Sequence, residues 1–552
     1  MTTTTPTQPI PQEFIQVVAK ERGVTDAELL TVFMALGGQS TASIATELGI
    51  SDIAVRKRLG EVYKKFQIGG SGPGKLAELR HQLSFLYQSG QPTSTPSYSP
   101  VSRLVPPSMV ITQRHQDWGE SPDLVTFYGR EEELTALEEW ILEDECRLIA
   151  LLGLGGIGKT TLAVKLAKEI GSKFDFVVWR SLRSAPSVDH LLANLLLFFA
   201  NQPKQDIPDD TNIRISFLLE YLRSHRCLLI LDDFEMVLSS DNLAGRYRPG
   251  YEGYRELITR LGEVSHNSCL VLISSEEPTE LTLLPKDKVQ SLNPVGSEEI
   301  ARELFQEQGL TTTDKNWRVL MERYGGNLLA YKIVASTIQQ FFDGNVNSFL
   351  EATSLFIEDH IGHLLEHQLE RLSTSEEEIL YWLAIERTPL TLAKLRENLV
   401  THSPLSDVLK NLDSLGRRSL IEKRTEAGKI VFTLQPLVMK YVTTQLVEEL
   451  QTELLNLIRT QKLENLRLLK SHCFYGGKIV GKGKGAKATQ VQGRLILGKI
   501  KNSLQVRFMK TKGYEEQVNT LTKICAILQD KSELEVGYAA ENLQAILTEL
   551  EG

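Results

Sequence analysis

The residues with the clearest chemical capacity form one short run, Gly153-Leu-Gly-Gly-Ile-Gly158-Lys159-Thr160-Thr161. It fits the spacing G-x-x-x-x-G-K-[ST]. Glycines at 153, 155, 156 and 158 let the backbone curl so that its N–H groups, that of Ile157 among them, face a common point. A helix starting there adds positive potential, and the combination cradles phosphate. Lys159 is then placed to reach β- and γ-phosphates and Thr160 to ligate Mg²⁺, with Thr161 in the same binding set. The flanks agree: Arg147-Leu-Ile-Ala-Leu-Leu152 is an apolar strand, and Thr161–Glu169 has the composition of a helix. A glycine-rich turn that binds nothing is the competing reading, and it explains neither flank.

Phosphate chemistry with a metal needs an acid at a second strand end. Cys227-Leu-Leu-Ile-Leu-Asp232-Asp233 supplies it, and its continuous apolar run suits a central parallel strand buried on both faces. Asp232 would hold Mg²⁺. Asp233 would orient or activate an attacking water, which makes Lys159 and Asp233 the candidate catalytic pair. The alternative is that both acids merely cap the strand.

These side chains need a scaffold to position them. The chain has 552 residues, 41% hydrophobic and 24% charged, which is enough for several buried cores and excludes a wholly disordered protein. A formal net charge of −9 excludes a globally basic nucleic-acid coat, though not a local basic face. Cys146, Cys227, Cys269, Cys473 and Cys525 are scattered and form no CxxC pair, against a cysteine zinc site or a disulfide scaffold. Met1–Pro6 lacks the order of a signal peptide. No apolar stretch approaches the roughly 18 residues of a membrane span, so a cytoplasmic protein without membrane attachment is expected.

The pattern along the chain predicts seven pieces. Residues 1–10 read as a disordered tail, 11–87 as a helical module and 88–117 as a Ser/Thr/Pro-rich linker. Residues 118–296 alternate apolar strands with amphipathic helices, the signature of a parallel sheet covered by helices. Residues 297–365 and 366–450 are helical, with one strand-like piece at Lys429-Ile-Val-Phe-Thr433. Residues 451–552 stay mostly helical, interrupted by interleaved Gly and Lys around 476–487, and have no assigned role.

Five motifs fall in a recognisable order: Phe127-Tyr-Gly-Arg130-Glu131, the phosphate loop, Phe174-Asp-Phe-Val-Val-Trp179-Arg180, Leu231-Asp-Asp233 and Tyr324-Gly-Gly-Asn-Leu-Leu-Ala330. Over about 118–450 the chain resembles a bacterial NB-ARC member of the STAND class of signalling ATPases, relatives of plant disease-resistance receptors and animal apoptosis scaffolds. The resemblance implies a multidomain α/β plus α protein, with a P-loop NTPase sheet at 118–296, a small helical domain at 297–365 and a winged helix at 366–450. It implies ATP/ADP and Mg²⁺ as ligands, an ADP-held resting state and an ATP-bound, usually homo-oligomeric, active state. It places Arg130 near the nucleotide entrance. Three positions depart from the family pattern. Ser275 stands where an Arg senses the γ-phosphate, Leu328 replaces the Pro of a Gly-x-Pro motif, and Gln435-Pro436 replaces a His-Asp pair. A hydroxyl lacks the charged fork of Arg, so nucleotide discrimination and hydrolysis should differ from the family norm.

The N-terminal module carries Thr41–Leu48, a Gly49 turn and Ser51 ahead of a second helix, an order similar to the helix-turn-helix of LuxR-type regulators. Arg56, Lys57, Arg58, Lys64 and Lys65 could contact DNA. Arg56, Lys57 and Arg58 are adjacent, however, and point around the helix, while Asp26, Glu28, Glu47 and Glu61 dilute the patch. A protein partner for residues 11–87 is therefore favoured over DNA. His360, His363 and His367 share one helical face, where packing is favoured over metal. Three functions stay open on these grounds: a signalling ATPase switch, a nucleotide-regulated transcription regulator and a nucleotide-binding scaffold without turnover.

Overall fold

The computed structural model describes residues 12–36, 41–66, 68, 75–76, 79, 83, 115–124, 126–200, 207–240, 243–352, 359–399, 404–474, 496–502, 504–505 and 514–551. The tail at 1–10, most of the linker and the Gly/Lys stretch at 476–487 lie outside these residues. The chain divides into two compact units, 1–108 and 109–552.

Among the described residues of the first unit, helices run over Gln12–Glu21, Asp26–Leu36, Thr41–Leu48 and Asp52–Lys65. The Ser51 hydroxyl accepts a hydrogen bond from the Ala54 N–H at 3.2 Å, a side-chain cap that starts the fourth helix. Val55, Leu59, Val62 and Phe66 recur on one face of that helix and are buried with Ile15, Val32 and Ile44. This is the 3.6-residue period of a helix facing a core.

The second unit opens with a six-stranded parallel sheet: β1 (His115–Asp117), β2 (Leu148–Leu152), β3 (Phe176–Ser181), β4 (Cys227–Asp232), β5 (Cys269–Ser274) and β6 (Val289–Leu292). The spatial order is β1-β3-β4-β5-β2-β6. His115–Asp117, which the composition places in the linker, is thus the edge strand, paired with Phe176–Val178. Alternate residues feed two cores. Leu148, Ala150 and Leu152 pack on one face, and Ile149 and Leu151 on the other. Helices cover both faces, which is why the inner strands read as unbroken apolar runs. β5 lies between the strand before the phosphate loop, β2, and the acid-bearing strand, β4.

Beyond the sheet follow the helices Glu298–Glu307, Asp314–Tyr324, Leu328–Phe341, Val346–Ala352, Asp359–Leu369 and Thr374–Glu386. A strand–helix–helix–hairpin sequence then runs through β7 (Leu390–Thr391), Leu392–Asn398, Leu405–Arg417, β8 (Ile421–Glu426) and β9 (Lys429–Leu434). Its antiparallel sheet has the order β7-β9-β8. The long helix Pro436–Thr460 and the C-terminal helices Tyr514–Gln529 and Ala539–Glu551 share one continuous apolar core with all of these. All five cysteines are buried and free. The side chains of His360 and His363 lie outside the described ones. His367 stands 3.5 Å from Glu370, and no metal-binding group occurs among the described residues. No described helix is long and apolar enough to cross a membrane.

Candidate functional site

The phosphate loop joins β2 to the helix Lys159–Ile170. Gly153, Gly156 and Gly158 all have positive φ, at 143°, 78° and 100°. An L side chain at Gly156 would also meet Leu329 Cβ at 2.8 Å, so both conformation and space require glycine there. Ile157 is buried, and Gly158 is the helix cap. The Lys159 ammonium donates to the carbonyls of Gly153 at 2.8 Å and Leu154 at 3.2 Å. Burial pulls its pKa below the ordinary lysine value, against the upward pull of Glu235, Asp232 and Asp233. An anion brought to this loop would restore the charged form.

Thr160 is the second residue of the helix, its hydroxyl 3.3 Å from Asp232 Oδ1, and Thr161 follows it in the first turn. Asp232 ends β4 and is 6% exposed. Its pKa is pushed up to about 7, chiefly by desolvation and then by the neighbouring Asp233. A hydroxyl and a buried carboxylate side by side form an oxygen-only donor pair, which fits a hard divalent cation such as Mg²⁺. Asp233 takes a left-handed backbone, φ 57°. It accepts from the Ser181 hydroxyl at 3.1 Å and has Arg183 Nε at 4.0 Å, so it faces the β3 side of β4.

Arg130 is 7% exposed and braces the loop from outside. It donates to the Ile157 carbonyl at 3.0 Å and pairs with Glu133 at 2.6 Å. It thus contacts the backbone of the cradle, and no contact among the described residues sends its charge into the cradle directly. The turn after Tyr324 closes the cradle from the other side. The Asn327 amide donates to the Gly155 carbonyl at 2.9 Å, and the Leu329 N–H donates to the Gly156 carbonyl at 3.0 Å. Leu328 starts the helix that Asn327 caps. Pro436, beside Gln435, packs on Gly325.

Ser275 is buried, and its N–H donates to Glu235 Oε2 at 3.1 Å. Cations do reach this end of β5, from far along the chain. Glu276 Oε2 accepts from Arg371 and from Arg418, each at 2.9 Å. Arg418 also lies 3.5 Å from Glu376, and Glu276, Glu376 and Arg418 are all nearly fully buried. Arg371 further donates to the Glu235 carbonyl at 3.0 Å. The sequence pattern had not singled out Glu235, Glu276, Arg371 or Arg418. The local hint is a pair of acids, Glu276-Glu277, separated from the apolar run Cys269–Ile273 by two serines.

A parallel sheet, a glycine cradle at one strand end and a buried acid at another define a P-loop nucleotide-binding domain. Residues 130–292 match the NB-ARC domain, so the chain carries an NB-ARC domain there. The chain is 42% identical over 469 residues to an uncharacterized WD repeat-containing protein of Nostoc sp., covering 78% of this chain and 37% of that protein. Two plant proteins are similar over shorter stretches. Disease resistance RPP13-like protein 4 of Arabidopsis thaliana is 26% identical over 24% of this chain and 16% of its own length. Disease resistance protein RPV1 of Vitis rotundifolia is 31% identical over 21% of this chain and 8% of its own length. The chain thus spans little more than a third of the Nostoc protein and far less of the plant ones. A Walker-type ATPase of Pyrococcus abyssi superposes with a TM-score of 0.42 at 16% identity, over 60% of this chain and 99% of that one.

Proposed function

We propose that this protein is a nucleotide-operated signalling switch that binds ADP and ATP with Mg²⁺. The observation that carries the reading is the shared phosphate cradle. Two of its carbonyls, those of Gly155 and Gly156, are held by Asn327 and Leu329, at the start of the helix Leu328–Phe341 of the helical region. A change in what the loop holds is therefore felt directly by that region. In this reading 297–365 is the small helical domain and 366–450 a winged helix. The Glu276–Arg371–Arg418 cluster clamps them to the sheet in the resting state, and ATP favours an opened, homo-oligomeric one. Loop N–H groups and Lys159 bind the phosphates, while Thr160 and Asp232 hold Mg²⁺, which would supply charge neutralisation between the phosphates. Residues 11–87 recruit a protein partner. The resemblance to a WD repeat-containing protein supports work beside protein partners.

The test is to identify the nucleotide that co-purifies with the full chain and to measure ADP and ATP affinity in Lys159→Ala. Loss of a charge-assisted contact of roughly 3 kcal/mol predicts a fall of about 100-fold or more. Tight binding retained in Lys159→Ala would exclude this site.

A further inference from the structure

Two carboxylates beyond Asp232 lie at the end of β4, and they face opposite ways. β4 has β3 on one side and β5 on the other, with the phosphate-loop strand β2 beyond β5. Asp233 turns toward β3, where Ser181 donates to its Oδ2. Glu235 sits in the short helical turn Phe234–Val237 and reaches toward β5. Its Oε2 accepts from the Ser275 N–H at 3.1 Å and the Ser274 hydroxyl at 3.3 Å. Its Oε1 carries no protein hydrogen bond among the described residues. The turn beneath it is fixed by the buried Phe234 and Val237 and by Arg371, which holds the Glu235 carbonyl. Ser274, which donates to Glu235, pairs with Leu152, the last residue of β2 before the phosphate loop, so Glu235 stands on the loop's side of the sheet end and Asp233 on the far side.

We infer that Glu235, rather than Asp233, activates the water that attacks the γ-phosphorus of bound ATP. The inference rests on the nucleotide-switch reading above and names the acting group within that site. A water oxygen forms a bond to the γ-phosphorus, and one of its protons passes to Glu235 Oε1. The bond from the γ-phosphorus to the β–γ bridging oxygen breaks, its electron pair leaving on ADP. Glu235 then returns the proton to solvent, so the products are ADP, inorganic phosphate and one proton. Ser274 and Ser275 orient the carboxylate through its second oxygen. The place occupied by an Arg in the family pattern is thus used to aim a base instead.

The experiment compares Glu235→Gln and Asp233→Asn in the full chain, using single-turnover phosphate release and a separate measurement of ATP affinity. Glu235→Gln is nearly isosteric and keeps an acceptor for the Ser275 N–H, so retained ATP affinity serves as its folding control. The expected result is a loss of about 100-fold or more in turnover for Glu235→Gln, with affinity within about threefold, and a loss under about tenfold for Asp233→Asn. The inference is overturned by wild-type turnover in Glu235→Gln, or by an equal or greater loss in Asp233→Asn. A wild-type chain that binds ATP but releases no phosphate also overturns it, while leaving nucleotide binding intact. Failure of the wild-type chain to bind nucleotide would instead refute the switch reading itself.

Discussion

Asp232 illustrates how much a single buried side chain can carry. Burial and Asp233 push its pKa up to about 7, so the folded chain favours its neutral form. The stability this brings is fully present below the ordinary carboxylate pKa and is lost as pH rises through about 7. A rise from 3.8 to about 7 corresponds to about 4 kcal/mol by linkage. Asp232→Asn should therefore melt higher than the wild type at pH 8 without divalent cations. The gap should close as pH falls toward 4, which calorimetry across pH would show. Mg²⁺ at pH 8 should raise the wild-type melting temperature and leave Asp232→Asn unmoved. A variant whose melting follows the wild type at every pH would remove Asp232 from this role.

Between elements, the firmest tie is the ionic cluster at the end of β5. Glu276 is 2% exposed and answers two arginines, 95 and 142 residues further along the chain. Removing one partner of a buried pair strands the other charge, at a cost of roughly 3–5 kcal/mol. Glu276→Ala should lower the melting temperature and speed ADP release about tenfold or more, read by stopped-flow with a fluorescent ADP. Unchanged release would separate this cluster from control of the nucleotide. These ties also mark where the sequence stops being legible. Strand β2, the helix after the loop, β4 and the 429–434 strand follow from local apolar runs and caps, and the sequence reading placed them within a residue or two. The strand order does not follow, because a run such as Cys269–Ser274 says nothing about which strand it pairs with. Nor does the edge role of His115–Asp117, a polar three-residue strand defined only by its partner. Ser275 looked like a missing charge, and only the three-dimensional neighbourhood shows arginines arriving from elsewhere.

At the scale of the whole molecule, the two compact units have separate cores. The exposed side of the first unit mixes basic and apolar groups. Lys64 is paired with Glu61 at 2.9 Å and Lys65 with Glu28 at 2.6 Å, while Ile53 is 78% exposed and Leu30 49%. Two of the five basic residues that could face DNA are thus answered by acids, and an exposed aliphatic side chain, Ile53, stands in the first turn of their helix. Such a face suits a protein partner. Fluorescence anisotropy with a mixed-sequence duplex at about 50 mM salt, where phosphate contacts are strongest, should show no binding tighter than about 10⁻⁴ M. Tight binding that weakens steeply with added salt would favour the DNA reading.

The five buried cysteines give the molecule an unplanned reporter. A thiol reacts as thiolate and only where a reagent can reach it. Burial pushes Cys227 up to about 12 and raises Cys146, Cys269 and Cys525 as well. The folded protein should therefore react slowly with alkylating reagents. Cys227 and Cys269 sit inside the sheet and report its unravelling, whereas Cys473 and Cys525 sit among the C-terminal helices and report their release. Which sulfur is tagged first would reveal, without any engineered label, which part of the chain lets go.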